Sequence, residues 1–404
     1  MDSESGTDRR LLLAGLGLAG AAMLSRAAKA GPLDPPPGPI TSTGKTTQEI
    51  FSQLSLTDRK VTRTPNGCAE PRRNVESCPS SADAMFVITE PGAYCLTGDV
   101  TGQPGRCCIR IDCDDVDLDC QGFNFRGMQG TQACITATER QNIEIYDACF
   151  TGWTGAACVD LGTCPSSFVS DCTFRRCTCP AGYSVARCGP GSEVYDCEWR
   201  QCEGEACSVG SGSCVEECAV VGGSGGAIRC GDGSCITCCD VLSHQGPAFT
   251  CGSQCCLDEC KSVLSHGSTC QMQCNVGYCV FSNTVPSPVS SAALTITGGR
   301  CCIEENSFSN CPIGIHVAPG ADGCLIDGNQ FAGGGGGSGS VSMAVVVDSS
   351  VTRCLCTCNC AQGYDAASPP FDFGSSSFGP ITMCPPGDIR PANGSSNPWS
   401  NLVS

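Results

Sequence analysis

A repeat of 21 to 23 residues through the middle of the chain constrains the fold more than any other feature of the sequence. Three blocks follow one another without a gap: VARCGPGSEVYDCEWRQCEGE from Val185, ACSVGSGSCVEECAVVGGSGG from Ala206 and AIRCGDGSCITCCDVLSHQGP from Ala227. AFTCGSQCCLDECKSVLSHGS from Ala248 follows more loosely. Each block holds two or three stretches of period-2 alternation separated by Gly or Ser. None is long enough, or has the right period, for a helix. Strands of three to five residues at a fixed period of this size make one coil of a parallel β-solenoid. Leucine-rich repeats share the length but need a leucine pattern that is absent, and propeller blades need about twice the period. The fold class is therefore all-β: a single-stranded parallel β-helix of about 10–12 coils. The general preference of parallel crossovers makes it right-handed.

Residues at one position of the repeat must stack into columns along such a rod. The most legible column is Cys172, Cys197, Cys218, Cys239, Cys260, Asn283, Asn306 and Asn329, spaced 25, 21, 21, 21, 23, 23 and 23 residues apart. An apolar residue two places later marks the same turn: Phe174, Trp199, Val220, Val241, Val285, Phe308 and Phe331. Asn taking the place of Cys predicts a ladder of amides at a coil bend. Cys188, Val209, Cys230 and Cys251 form a second column, whose mixture of Val and Cys predicts a buried site. Cys214, Cys235 and Cys256 form a third.

The chain has 404 residues and 40 cysteines, with 23 Lys plus Arg against 40 Asp plus Glu for a net charge of -17. That balance argues against a nucleic-acid or anionic-membrane partner, which requires a basic face. Arg9 and Arg10 precede an apolar run from Leu11 to Leu24, and Ala28-Lys29-Ala30 makes a small-x-small cleavage site. Residues 1–30 read as a signal peptide whose paired arginines match a twin-arginine export signal. The apolar run is too short to span a bilayer. Residues 31–80 read as a Pro-rich leader and N-terminal cap, with one short amphipathic helix over Thr46 to Leu54. The β-helix takes 81–363, and 364–404 is a C-terminal cap and tail.

Thr89-Glu90-Pro91-Gly92-Ala93-Tyr94-Cys95-Leu96-Thr97-Gly98, followed by Val116-Asp117-Leu118-Asp119-Cys120-Gln121-Gly122-Phe123, resembles the first coils of exported bacterial right-handed parallel β-helix repeat proteins of the pectin-lyase-like superfamily. The twin-arginine leader, Gly31-Pro32-Leu33, Gly44-Lys45-Thr46 and Asn397-Pro398-Trp399-Ser400-Asn401 are similar to the same group. The resemblance implies an exported β-helix of the periplasm, cell surface or surroundings, with no settled activity. This chain is a cysteine-rich variant, with Cys where the relatives mostly have Val, Ile, Gly, Asp or Asn.

Three roles for the cysteines stand side by side. Stacked positions about 4.8 Å apart fall within the Cα range for disulfides. A protein exported already folded would instead carry its interior columns as thiols. Thiolate metal binding is the third role, and Cys354, Cys356, Cys358 and Cys360 are its best local candidates, since period 2 places all four on one strand face. His244 and His266 read as exposed loop residues. Among acidic groups, Asp115, Asp117 and Asp119 alternate with Val116 and Leu118 and so share the solvent face, with Glu144 beside Asp117 on the next coil. Those hard oxygens would suit calcium as a cofactor. Arg175 and Arg176 fall in a turn. No nucleophile elbow, dinucleotide fingerprint or phosphate loop is present. The expected function is a structural or glycan-binding rod with a polysaccharide or cell-surface partner and no identifiable catalytic centre. The alternatives are a polysaccharide lyase or glycoside hydrolase of this fold, and a thiol-rich metal-binding protein.

Overall fold

The computed structural model describes residues 72–284, 292–333, 343–351, 353–363 and 370–373, together with the strands Ser377–Phe378, Ile381–Met383 and Asn401–Val403. The signal residues Arg9, Arg10, Ala28 and Ala30, the segment Thr46 to Leu54 and Val285 lie outside them. The chain winds through three parallel sheets of 13, 14 and 14 strands, called here faces 1, 2 and 3 in the order each coil visits them. One coil shows the plan: Ser184–Cys188 on face 1, Glu193–Tyr195 on face 2, Glu198–Arg200 on face 3, then Glu205–Val209 back on face 1 one rung up. The ladder begins at Arg73–Asn74, which pairs with Gly92–Cys95 within the segment expected to cap the rod. The described residues contain no α-helix, and their one helical turn is the 3₁₀ segment Val75–Ser77.

The three-residue strands of faces 2 and 3 carry one inward side chain between two outward ones, and those of face 1, such as Ile228–Cys230, carry two inward around one outward. Face 2 turns inward a column of aliphatic residues: Leu118, Ile145, Val169, Val194, Val215 and Ile236, continuing through Leu257 to Ile326. Face 3 turns in aromatics. Phe125, Phe150, Phe174 and Trp199 stack with ring centroids 4.8–5.1 Å apart and planes within 11°. Phe281, Phe308 and Phe331 make a second stack. Offset stacking adds about 0.5–1.5 kcal/mol per pair beyond the area buried. Val220, Val241 and Ser262 fill the rungs between the stacks.

Corners are made by a recurrent two-residue device. The first residue takes a left-handed backbone and the second points its side chain inward. Between faces 2 and 3 the pairs include Asp196-Cys197 (φ 46°), Glu217-Cys218 (53°), Cys238-Cys239 (53°) and Tyr278-Cys279 (52°). Between faces 3 and 1 they include Gln201-Cys202, Ser243-His244, Leu264-Ser265 and Asn310-Cys311. Between faces 1 and 2 they include Gly191-Ser192, Gly233-Ser234, Gln254-Cys255 and Gln273-Cys274. Non-glycine residues in this region cost about 1–2 kcal/mol each. The inward polar atom helps offset that cost by donating to a carbonyl of the preceding coil.

Two expectations about columns need correction. Asn283 is not a rung of the amide ladder: it holds the left-handed slot of a face 3 to face 1 corner (φ 52°). Cys279 takes the rung, because Lys261 pairs with Val280 and Val280 with Ser307. Cys260 to Cys279 is 19 residues and Cys279 to Asn306 is 27, so a short coil and a long one together mimic two coils of 23. Phe281, not Val285, accordingly continues the aromatic column. The second correction concerns His244. It is buried, 1% exposed, in a face 3 to face 1 corner, with Nδ1 3.0 Å from Gly222 O and Nε2 2.8 Å from Gly225 O. His266 is half-buried.

Candidate functional site

The cysteines divide by the direction they face. Cys95 is disulfide-bonded, and most of the other described cysteines are buried. In the face 2 to face 3 corner the thiols above Cys172 donate to a carbonyl one coil back: Cys197 to Val169 O at 3.7 Å, Cys239 to Val215 O at 3.5 Å and Cys279 to Leu257 O at 3.5 Å. From Asn306 upward amides take over the same bond at 2.9 Å, to Val276 O, Ile303 O and Ile326 O from Asn306, Asn329 and Asn359. The amides also bond one another, Asn306 Nδ2 to Asn329 Oδ1 and Asn329 Nδ2 to Asn359 Oδ1, both at 3.0 Å. The face 1 to face 2 corner carries serines from Ser167 to Ser234 and cysteines above them. Ser234 Oγ donates to Gly210 O and Cys255 Sγ to Gly231 O, both at 3.1 Å. Cys188, Cys230, Cys251 and Cys270 are buried on face 1.

Burial raises Cys188 and Cys356 to about 12. They are protonated, inert packing groups at neutral pH. The run Cys354, Cys356, Cys358, Cys360 does not share one face. Cys354 is an inward corner residue donating to Ala321 O at 3.4 Å, and Cys356 is the inward residue of Leu355–Thr357. Cys358 turns the chain with φ 55°, and Cys360 opens a strand of face 3. The left-handed residue resets the alternation on which the expectation rests. Among the described residues no group of three or more His, Cys, Asp or Glu stands where it would hold a metal ion.

The acidic cluster is only partly assembled. Asp117 and Asp119 point outward from Val116–Asp119, and Asp117 is in register with Glu144. Asp115 lies at the preceding bend (φ 57°), accepting from Asn142 Nδ2 at 2.7 Å, so the three aspartates do not share a strand face. Arg72 sits among the others. Its Nη1 is 2.7 Å from Asp117 Oδ1 and its Nε 4.0 Å from Asp119 Oδ2. Tyr146 donates to Asp117 at 2.8 Å. Burial and that carboxylate hold the Tyr146 phenol well above its ordinary range. A guanidinium thus stands among carboxylates that the sequence offered for calcium. Arg175 closes a face 3 strand and Arg176 forms the bend after it.

Sequence reasoning missed the feature that follows. The outward side chains of face 2 form two continuous columns. One runs Asp117, Glu144, Phe168, Glu193, Cys214, Cys235, Cys256 and onward. The other runs Asp119, Tyr146, Ser170, Tyr195, Glu216, Thr237, Asp258. A groove of about 530 Å³ opens over the first column, lined by Glu144, Ser166, Ser167, Phe168, Gly191 and Glu193. Phe168 lines it, with a carboxylate one rung to either side. Tyr195, 37% exposed, stands in the next column and donates to Glu217 Oε2 at 2.8 Å. The signal was the register itself: Glu144, Phe168 and Glu193 stand at 24- and 25-residue intervals, and only the pairing shows that they adjoin.

Fold and face together define a three-sided parallel β-solenoid with one outward face bearing aromatic and carboxylate groups. No family model matches the chain, and no curated protein matches it. Solved structures do resemble it. The catalytic unit of a thermostable GH87 α-1,3-glucanase from Streptomyces thermodiastaticus strain HF3-3 aligns over 84% of this chain and 68% of its own, at 10% identity and a TM-score of 0.49. Tailspike protein 3 of bacteriophage CBA120 aligns over 93% and 67%, at 13% identity and 0.41. A mannuronic-acid-specific polysaccharide family 6 lyase from human gut microbiota aligns over 75% and 87%, at 11% identity and 0.36.

Proposed function

We propose that the chain is an exported β-solenoid that binds an extended neutral or basic polysaccharide along face 2. The observation that carries this reading is the groove over Phe168. Successive rungs about 4.8 Å apart offer an aromatic surface for a sugar ring and carboxylates and hydroxyls for its polar edge. Glu144 and Glu193, in a chain of net charge -17, repel uronate and sulfated glycans. Export fits the thiol interior, because a protein translocated folded closes its columns in a reducing compartment before it meets oxidant.

The test is affinity electrophoresis against soluble glucans, chitosan and pectate. Retardation by a neutral or basic glycan and none by pectate is the expected result. Phe168→Ala, at an outward half-buried position, is expected to weaken binding about tenfold, close to 1.4 kcal/mol. Binding that ignores Phe168→Ala, or none to any of these glycans, overturns the reading.

A second reading is supported by the two flanking carboxylates. Glu144 and Glu193 stand two rungs apart, about 9.6 Å between their backbones, with side chains long enough to bring the carboxyls to the roughly 6.5–9.5 Å of inverting glycosidases. New reducing ends released from the bound glycan, and lost in both Glu144→Gln and Glu193→Gln, would make the site hydrolytic. Binding without release leaves it a binding site.

A further inference from the structure

We propose that Cys214, Cys235 and Cys256 form a thiol–disulfide exchange site on the open surface of face 2, selective for small neutral or cationic disulfides. The three thiols stand on consecutive rungs, Cys214 paired with Cys235 and Cys235 with Cys256. Each points outward, Cys235 exposed and the other two half-buried. This distinguishes them from the corner thiols, which are closed in and bonded to carbonyls, such as Cys255 on Gly231 O. Neighbouring rungs about 4.8 Å apart fall inside the Cα range of about 4.4–6.8 Å for a disulfide. Two rungs, about 9.6 Å, fall outside it. Every disulfide within this column therefore contains Cys235, and each leaves the third thiol beside the bond. That thiol can attack in turn, so the bond can move between the lower and upper pair.

The exchange balances as follows. Cys235 loses its proton to water and its thiolate attacks one sulfur of the small disulfide. The S–S bond breaks and one small thiolate leaves. The thiolate of Cys214 or Cys256 then attacks Cys235 Sγ and expels the second small thiol. Two protein thiols are oxidised to one disulfide and one small disulfide is reduced to two thiols. The charge around the column sets the selectivity. Glu193 precedes Cys214 on the same column, and Glu216 and Asp258 flank it on the next. An anionic disulfide approaches against this field and a cationic one with it. Burial, the Cys235 thiol and Asp258 push Cys256 up to about 11, and burial raises Cys214. Exchange therefore accelerates with pH through the neutral range.

Cys238 supplies an internal control. It is exposed, donates to Glu259 Oε2 at 3.4 Å, and sits in a corner where the coils before and after carry Glu217 and Glu259, so it has no thiol on either side. The experiment treats the reduced folded chain with cystamine or with oxidised glutathione, quenches with acid, alkylates and maps peptides by mass. The expected first product with cystamine is one internal disulfide containing Cys235, with two cysteamines released, while Cys238 takes only a mixed disulfide. Oxidised glutathione should react at least severalfold more slowly at low salt, the gap narrowing as salt rises. Cys235→Ser should trap mixed disulfides at Cys214 and Cys256 and release no second thiol. A disulfide that forms first among interior cysteines overturns the proposal. So does an internal bond between Cys214 and Cys256 in Cys235→Ser, or an unreactive column in protein whose Cys238 does react. Glycan binding is a separate readout, so its failure leaves this test intact.

Discussion

At the scale of single residues, a thiol and an amide occupy the same slot with unequal strength. Asn329 donates to Ile303 O and to Asp327 O, and its Oδ1 accepts from the backbone N and the side chain of Asn306. Cys260 makes one weak bond to Ile236 O and accepts one from Cys239 N at 3.4 Å. Asn329→Ala strands several buried polar groups and should cost about 3 kcal/mol or more. Cys260→Ala removes a small apolar group and a weak donor and should cost about 1 kcal/mol. Urea midpoints under reducing conditions check the difference, and equal losses would mean that the amide ladder adds nothing beyond volume. Backbone fit is as local. A Cβ at Gly246 would run into the carbonyl of Gly225, so that corner admits only glycine.

At the scale of elements, the corner rather than the strand decides what a cysteine is worth. Cys255 continues a column of serines, with Ser234 one rung below making the equivalent bond. Cys255→Ser should therefore change stability by less than about 1 kcal/mol. Cys207 lies inward on face 1 between Ala186 and Ile228, where no corner carbonyl waits. Cys207→Ser should cost about 1–3 kcal/mol. Thermal midpoints of the two variants, measured side by side, test the distinction. The same corners explain what was legible in the sequence. Coils of constant length, Cys197 to Cys260, showed their column plainly, because equal spacing survives without structural knowledge. Left-handed slots held by Glu217, Cys238, Leu264 and Tyr278 carry no sequence mark, since any side chain there faces solvent. That is why Asn283 was misplaced and why Cys354 to Cys360 read as one strand. Face 2 as a binding surface was invisible for a related reason: Glu144, Phe168 and Glu193 become neighbours only through register.

At the scale of the whole molecule, many buried thiols make stability depend on alkaline pH. A thiol whose folded value is raised keeps its proton after the unfolded chain has lost it. The unfolded state then binds fewer protons, and stability falls as pH rises. The loss begins near the unfolded value of about 8.5 and continues toward the folded values of about 12 at Cys188 and Cys356. Each fully buried thiol contributes up to about 1.4 kcal/mol per pH unit across that interval. Urea unfolding with reductant should show a plateau to about pH 8 and a steep fall by pH 10. A flat profile would mean that the thiols are not buried as described. Because each coil touches only its neighbours, whole coils are also separable units. Deleting 206–226 joins Glu205 to Ala227 in register and should give a folded chain one rung shorter, about 4.8 Å less in scattering length. Deleting ten residues there should abolish folding.

The far end of face 3 has a consequence for the order in which the molecule can be finished. Asn401–Val403 lies between Cys360–Gln362 and Ile381–Met383 in the sheet, although it comes after both in the chain. As the ribosome reads out the message, Ile381–Met383 emerges with no rung on face 3 to join. A nascent chain halted between the two would present Cys360–Gln362 as a bare strand edge, open to any passing β-chain. Up to Cys360–Gln362 the strands of face 3 follow chain order, and at Asn401–Val403 that order breaks, the later strand standing between two earlier ones.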